Sequence, residues 1–119
     1  MIVALTIIGV IALVLLFFAL FPFVQICGYS MFPTLTDGEM YLSRRIFRKD
    51  KCQVGKIYVY RPPYDSDEER FVIKRLDHIK FGKYYFLGDN QDDSYDSRYY
   101  GYVDSKNVVA QLLIRKGCK

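Results

Sequence analysis

The sequence predicts a mainly β protein, a single N-terminal transmembrane helix followed by a small β-rich domain, in a chain of 119 residues. Three observations carry this expectation. No charged residue occurs before Asp37, so all 17 Lys and Arg and all 13 Asp and Glu fall in the last two thirds of the chain. The stretch from Ile2 to Phe21 is apolar throughout, interrupted only by Thr6 and Gly9. Beyond it, short runs of β-branched and aromatic residues alternate with turn signals. The mean hydropathy of +0.02 therefore averages two unlike parts, an anchor over residues 1–26 and a polar domain over 27–119, with no room for a second large domain.

In the anchor, twenty helical residues rising about 1.5 Å each cover roughly 30 Å, the thickness of a bilayer hydrocarbon core. A helix satisfies its backbone polar groups internally, and Pro22 marks its end. A cleaved signal peptide is the competing reading. The apolar run is longer than the roughly 7 to 15 residues of such a segment, with no basic flank before it and no small-x-small site after it, so an uncleaved anchor is expected. The N-terminal flank carries no Lys or Arg, so the positive-inside rule gives no orientation.

Five strands are expected in the domain: Met40 to Phe47, Lys56 to Arg61, Phe71 to Ile79, Lys83 to Leu87, and Val108 to Ile114. Pro62, Pro63 and the acidic cluster Asp65, Asp67, Glu68 and Glu69 read as a solvated loop at a hairpin tip. Eleven tyrosines suit half-buried strands beside a membrane, where a ring sits in apolar surroundings with its hydroxyl wet.

Composition also narrows the partners. The net charge of +4 arises from interleaved acids and bases, and the densest basic stretch, Arg44, Arg45, Arg48, Lys49 and Lys51, has Asp50 within it. That is a solvated face or loop, and no nucleic-acid partner is expected. Cys27, Cys52 and Cys118 have no CxxC spacing and an odd count, so neither a zinc site nor a full disulfide framework is indicated.

Three passages carry candidate chemistry. Gly28-Tyr29-Ser30-Met31-Phe32-Pro33-Thr34-Leu35 would hold a serine within a few residues of the membrane surface. A lone serine there is ordinarily a turn or cap residue, and a serine nucleophile needs a base to take its proton. His78 is the only histidine. On strand alternation it shares a face with Lys74 and Leu76, but a lone strand histidine is more often a surface or packing residue.

Lys74, in Phe71-Val72-Ile73-Lys74-Arg75-Leu76, is the stronger base candidate, although taken alone it reads as a strand-edge charge paired with an acid. A free lysine is only about 0.04% neutral at pH 7. Burial must depress its pKa by two to three units, at a cost of about 3 to 4 kcal/mol, before it can act as a base.

The third passage, Gly88-Asp89-Asn90-Gln91-Asp92-Asp93-Ser94-Tyr95-Asp96-Ser97-Arg98, lacks the ligand order and closing Glu of a calcium loop. A loop that supplies hydrogen bonds to a lysine, with Asp96 and Arg98 held as an ion pair, accounts for the same residues without a metal.

These passages, in this order behind one anchor, resemble the type I signal peptidases, membrane-bound serine proteases that use a Ser-Lys dyad. Ser30 to Leu35 matches the family's S-M-x-P-T-L box, and Phe71 to Arg75 its strand ending in K-R. Gly88, Asp89 and Asn90 through Ser94, Asp96, Ser97 and Arg98 match G-D-N-x-x-x-S-x-D-S-R, followed by Tyr99-Tyr100-Gly101-Tyr102-Val103. The resemblance spans about 70 residues, from Gly28 to Val103.

The resemblance implies a small β-rich signal-peptidase-like catalytic domain with Ser30 as nucleophile, Lys74 as general base and Ser94 as the hydroxyl that orients the lysine. Asp96 and Arg98 would brace the site, Asp89 and Asn90 would shape the loop carrying Ser94, and Met31 and Pro33 would contact substrate. Some relatives carry a serine two positions before the nucleophile as an oxyanion donor. This chain has Gly28 there, whose backbone N–H would have to substitute. No cofactor or metal is implied.

The implied partners are the lipid bilayer and precursor proteins whose signal peptides end in Ala-x-Ala. The implied location is a plasma membrane, crossed once, with the catalytic domain on the extracytoplasmic side. Departures concern size. Only 13 residues separate Lys74 from Gly88, where the family often has a Gly-x-Pro-Gly-Asp passage and a long insertion, and Gln91 stands where Arg is frequent. Two alternatives follow: a maturation protease dedicated to one precursor, such as nickel superoxide dismutase or a conjugation pilin, or a catalytically silent anchored domain that binds peptides.

Overall fold

The computed structural model describes residues 1–47, 51–64 and 71–113. Helix α1 (Ile2–Leu20) is long and apolar enough to cross a membrane. None of its residues is buried, and it is apolar on all sides. Phe21 N–H still donates to the Phe17 carbonyl at 2.8 Å, and Pro22, which lacks an N–H, ends the helix.

Six strands follow, β1 (Phe23–Gln25), β2 (Met40–Arg45), β3 (Ile57–Tyr60), β4 (Val72–Lys80), β5 (Lys83–Leu87) and β6 (Val108–Leu112). They form one sheet in the order β1-β2-β6-β3-β4-β5 with every neighbouring pair antiparallel. A four-residue helix, α2 (Ser97–Tyr100), follows the acidic loop after β5. The protein is mainly β with one apolar helix, as expected.

The differences from expectation have local causes. Phe23–Gln25, grouped with the anchor by composition, pairs with Leu42–Met40 of β2, and Ile26 is buried in the core. Pro22 stops the helix, and the apolar residues after it go to the sheet. β2 ends at Arg45 rather than Phe47. Arg48, Lys49 and Asp50 of the basic stretch, the acidic cluster at 65–69, Ile114 and Cys118 lie outside the described residues.

Burial follows the strand period. β4 alternates, with Val72, Lys74 and Leu76 buried, and so does β6, with Val108, Ala110 and Leu112 buried. β3 is buried at all four positions, consistent with a central strand covered on both faces. The larger core cluster gathers Tyr58, Tyr60, Leu76 and Phe86, where Tyr60 stacks on Phe86 at 4.2 Å between ring centroids. A smaller cluster of Ile26, Met31, Leu35, Ile57 and Leu112 roots the segment that carries Ser30.

Candidate active site

Ser30 lies in the turn-rich segment between β1 and β2, half-buried at the surface. Met31 and Leu35, at 2% and 0% exposure, plug this segment into the smaller core cluster. The Phe32–Pro33 peptide within it is cis. From the loop after β5, Asn90 N–H donates to the Ser30 carbonyl at 2.8 Å, and Asn90 Nδ2 donates to the Tyr29 carbonyl at 3.0 Å. Asn90 therefore ties its loop directly to the backbone around Ser30, a more direct role than shaping the loop.

Lys74 projects from the middle of β4, on the side of the strand that also presents Val72 and Leu76. Its partner across the ladder is Tyr58. Lys74 is 6% exposed, and Nζ donates to Ser30 Oγ at 2.6 Å. A hydroxyl and a buried amine, 44 residues apart in the chain, thus share one hydrogen bond.

Asp96 is fully buried and collects donors. Oδ2 accepts from Gly88 N–H at 3.0 Å and from Ser94 Oγ at 2.8 Å. Oδ1 accepts from Arg98 Nε at 2.9 Å and from Arg98 N–H at 3.2 Å, the latter capping α2. Burial alone pushes the carboxyl's pKa up. The Arg98 guanidinium, the Gly88 N–H and the Ser94 hydroxyl outweigh it and hold Asp96 below the usual carboxylate range. Ser94 spends its proton on Asp96, so its oxygen lone pairs are free to accept.

Gly88 makes this crowding possible. A Cβ at that position would lie 2.1 Å from Ser94 Oγ and 2.7 Å from the Ser30 carbonyl oxygen. The glycine is what lets the Ser94 loop close against the Ser30 turn.

A second network was not foreseen in the sequence. Arg75, on the opposite side of β4 from Lys74, grips Asp89 with Nε and Nη2, each at 2.8 Å, and donates to the Gly55 carbonyl at 2.6 Å. Thr34 Oγ1 donates to the same carboxylate at 2.5 Å. Burial raises the Asp89 pKa, but the hydrogen bonds from Arg75 and Thr34 prevail and lower it. Three passages separate in sequence, the serine box, the end of the K-R strand and the G-D-N loop, are joined through one carboxylate.

Gly28 N–H, the expected second oxyanion donor, donates to Asp37 Oδ1 at 2.7 Å. One expectation is corrected. His78 is not on the Lys74 side of β4. The β4–β5 register shifts between Leu76 and His78, a bulge at Asp77 that reverses the alternation. His78 instead stacks on Tyr85 at 4.6 Å and contacts Asp77 Oδ2 and the Tyr102 hydroxyl, each at 2.8 Å.

Ser30 and Lys74 open onto a groove of about 840 Å³, walled by Val24, Ile26, Met31 and Ile73, with Tyr95 at its rim. Met31 thus lines the groove, whereas Pro33 is exposed and not part of the lining. Among the described residues no cluster of His, Cys, Asp or Glu is arranged to hold a metal ion. Asp89 and Asp96 of the acidic loop are both committed to arginines.

A serine hydroxyl hydrogen-bonded to a buried amine on an open groove is an arrangement that nucleophile-and-base chemistry could use. The sequence profile of the family described as "Signal peptidase, peptidase S26" matches residues 1–76 and 68–115, and the chain belongs to that family. Signal peptidase I of Buchnera aphidicola subsp. Baizongia pistaciae (strain Bp) is 52% identical over 85 residues, 66% of this chain and 25% of that protein. Signal peptidase I of Aquifex aeolicus (strain VF5) is 31% identical over 85 residues, 66% of this chain and 31% of that protein. The probable signal peptidase I-2 of Synechocystis sp. (strain ATCC 27184 / PCC 6803 / Kazusa) is 24% identical over 81 residues, 68% of this chain and 31% of that protein. The chain spans between a quarter and a third of the length of these relatives.

Proposed function

We propose that the protein is a membrane-anchored serine endopeptidase that removes signal peptides from exported precursor proteins, cutting after small residues of the Ala-x-Ala type. Ser30 is the nucleophile and Lys74 the general base. The observation that carries this reading is the 2.6 Å hydrogen bond from Lys74 Nζ to Ser30 Oγ at the mouth of the groove, in a chain of the signal peptidase family.

The chemistry follows from the geometry. A general base must be neutral to take a proton, and Lys74 lies 6% exposed on the side of β4 that also presents Val72 and Leu76. Lys74 takes the Ser30 proton as Oγ attacks the scissile carbonyl, then returns it to the leaving amine, and water later releases the acyl-enzyme. Ser94, fixed by Asp96, offers its oxygen to hold the lysine in place between these steps.

The Ser30 N–H has no acceptor among the described residues and is the natural first oxyanion donor, a contribution of roughly 3 to 4 kcal/mol. The Gly28 N–H, the candidate second donor, is hydrogen-bonded to Asp37 and would exchange that partner for the oxyanion. Ile26, Met31 and Ile73 give the groove apolar lining, which suits small apolar substrate side chains such as alanine.

Helix α1 crosses a plasma membrane once and holds the domain on the extracytoplasmic side, where signal peptides leave the bilayer. The test is cleavage of a detergent-solubilised precursor carrying an Ala-x-Ala signal peptide by the wild type, Ser30→Ala, Lys74→Ala and His78→Ala. Loss of about a thousandfold or more in the first two variants, with His78→Ala active, is expected. A wild type inactive on several such precursors removes the general signal peptidase reading.

A further inference from the structure

The last carbonyls of any helix lack intrahelical donors. In α1 the Ala19 carbonyl finds one in Arg45 Nε, at 2.9 Å. Just beyond the helix, the Pro22 carbonyl accepts twice from Ser43, from Oγ at 2.6 Å and from N–H at 2.9 Å. Ser43 and Arg45 are two apart on β2 and so share one side of that strand. Both line the groove onto which Ser30 and Lys74 open. One strand of the catalytic sheet thus holds the end of the anchor and also forms part of the site's wall.

The segment from this grip to Ser30 is short and itself tied down. Phe23–Gln25 pairs along β2, Phe18 of the helix packs on Phe23 at 6.1 Å between ring centroids, and Ile26 N–H donates to the Glu39 carbonyl at 2.9 Å. The angle and height of the groove relative to α1 are therefore set at the helix end. A cation suits that position, because the C-terminal end of a helix carries partial negative charge.

We infer that Arg45 is a positioning residue, which fixes the height and tilt of the groove against the bilayer by holding the C-terminal end of α1. This rests on the reading of α1 as a membrane span and of Ser30 and Lys74 as the protease pair. Arg45 is exposed and also lines the groove, so a soluble peptide reports whatever it contributes to substrate binding, and the difference between the two substrates reports its hold on the anchor. A short soluble peptide reaches the groove whatever its tilt. A precursor whose signal peptide is embedded in the same bilayer presents its scissile bond at a fixed height, and alignment then decides how often that bond meets Ser30.

The test reconstitutes the full chain in phosphatidylcholine vesicles as wild type, Arg45→Ala and Arg45→Lys. Each is assayed on a precursor inserted in the same vesicles and on a soluble peptide with the same cleavage sequence. A parallel set carries a fluorophore on the exposed Cys27, with Cys118→Ser, and its depth is read by quenching with lipids brominated at known positions.

Arg45→Ala is expected to lose at least about fivefold more in kcat/KM on the embedded precursor than on the soluble peptide, with a shifted quenching profile. Arg45→Lys, which keeps a cationic donor, recovers most of both. Equal loss on the two substrates, no loss on either, or an unchanged quenching profile overturns the inference. The quenching readout needs no activity, so a wild type that cleaves neither substrate removes the protease reading and leaves the depth measurement to decide the role of Arg45.

Discussion

Gly88 and Ser94 are packed so closely that a single methyl group on Gly88 would overlap the Ser94 hydroxyl, at 2.1 Å from Oγ and 2.6 Å from Cβ. The serine cannot simply rotate away, because Oγ is held by Asp96 at 2.8 Å. The same methyl would meet the Ser30 carbonyl at 2.7 Å, and that oxygen is backbone.

Gly88→Ala therefore pushes the two halves of the site apart. Overpacking of this kind costs about 1 to 3 kcal/mol of stability. The expected loss of activity is larger, about a hundredfold, because a shift of about 1 Å between reacting groups is enough for that. Urea denaturation and peptide cleavage measured on the same preparation separate the two effects. Wild-type kcat in Gly88→Ala would show that Ser94 and Ser30 need not be in register.

Asp96 makes a prediction about acid. Its folded-state pKa is depressed, since the Arg98 guanidinium, the Gly88 N–H and the Ser94 hydroxyl outweigh its burial. A depressed carboxyl contributes stability that is complete above its unfolded value of about 3.9 and is lost as pH falls from there through the folded value. Asp89 adds to the loss with the same sign. Urea midpoints should hold between about pH 7 and pH 5 and drop below about pH 4. Asp96→Asn, which keeps the shape but not the charge, should be less stable at neutral pH and show a shallower drop. An identical slope in the variant would place the acid sensitivity elsewhere.

The parts of this molecule that were legible in the sequence are those with a strong local composition. Uniform apolarity marked α1, runs of β-branched and aromatic residues marked β2 to β6, and Ser30 and Lys74, which share a hydrogen bond, stand in motifs quoted from the sequence. What was illegible depends on interruptions of period or on distant partners. β1 continues the apolar composition of the anchor, and only Pro22 hints that Phe23–Gln25 belongs to the sheet. The bulge at Asp77 leaves no compositional trace, yet it moves His78 across the strand. Arg75 sits beside Lys74 as an ordinary alternating cation, and nothing near it in sequence announces Asp89. Likewise nothing near Gly28 announces that its N–H donates to Asp37, nine residues away.

The Arg75–Asp89 pair is expected to matter through geometry more than through charge. Arg75 offers two nitrogens to one carboxylate, a fork that lysine cannot reproduce. Arg75 is about a third exposed, so solvent screening limits the stability cost of Arg75→Lys to about 1 kcal/mol. Its neighbour in β4 is Lys74, however, and Asp89 adjoins Asn90, which holds the Ser30 carbonyl. A fall in kcat of about tenfold or more with little change in KM is expected. Thr34→Val should act through the same carboxylate, and a double-mutant cycle with Asp89→Asn should show non-additivity. Strict additivity would mean that the three passages are not coupled there.

The hairpin between β4 and β5 carries an avoidable strain that a substitution should relieve. Its two-residue loop is Phe81-Gly82, with φ of 52° and 73°, the left-handed pair of a type I′ turn, for which Asn-Gly is the preferred sequence. Phe81 is 92% exposed, so it gains nothing from burial, and its one ring contact is with Lys80 Nζ at 5.6 Å, a surface cation–π interaction of about 0.5 kcal/mol. Left-handed backbone costs an L-residue about 1 to 2 kcal/mol, and asparagine tolerates it better than phenylalanine does. Phe81→Asn should therefore stabilise the domain by about 0.5 to 1 kcal/mol, read as a raised urea midpoint. Six residues of strand lie between Lys74 and this loop, which is about 23 Å away along the strand, so peptide cleavage should be unchanged. If stability falls instead, the exposed ring has a contact in solution that outweighs the strain of its backbone.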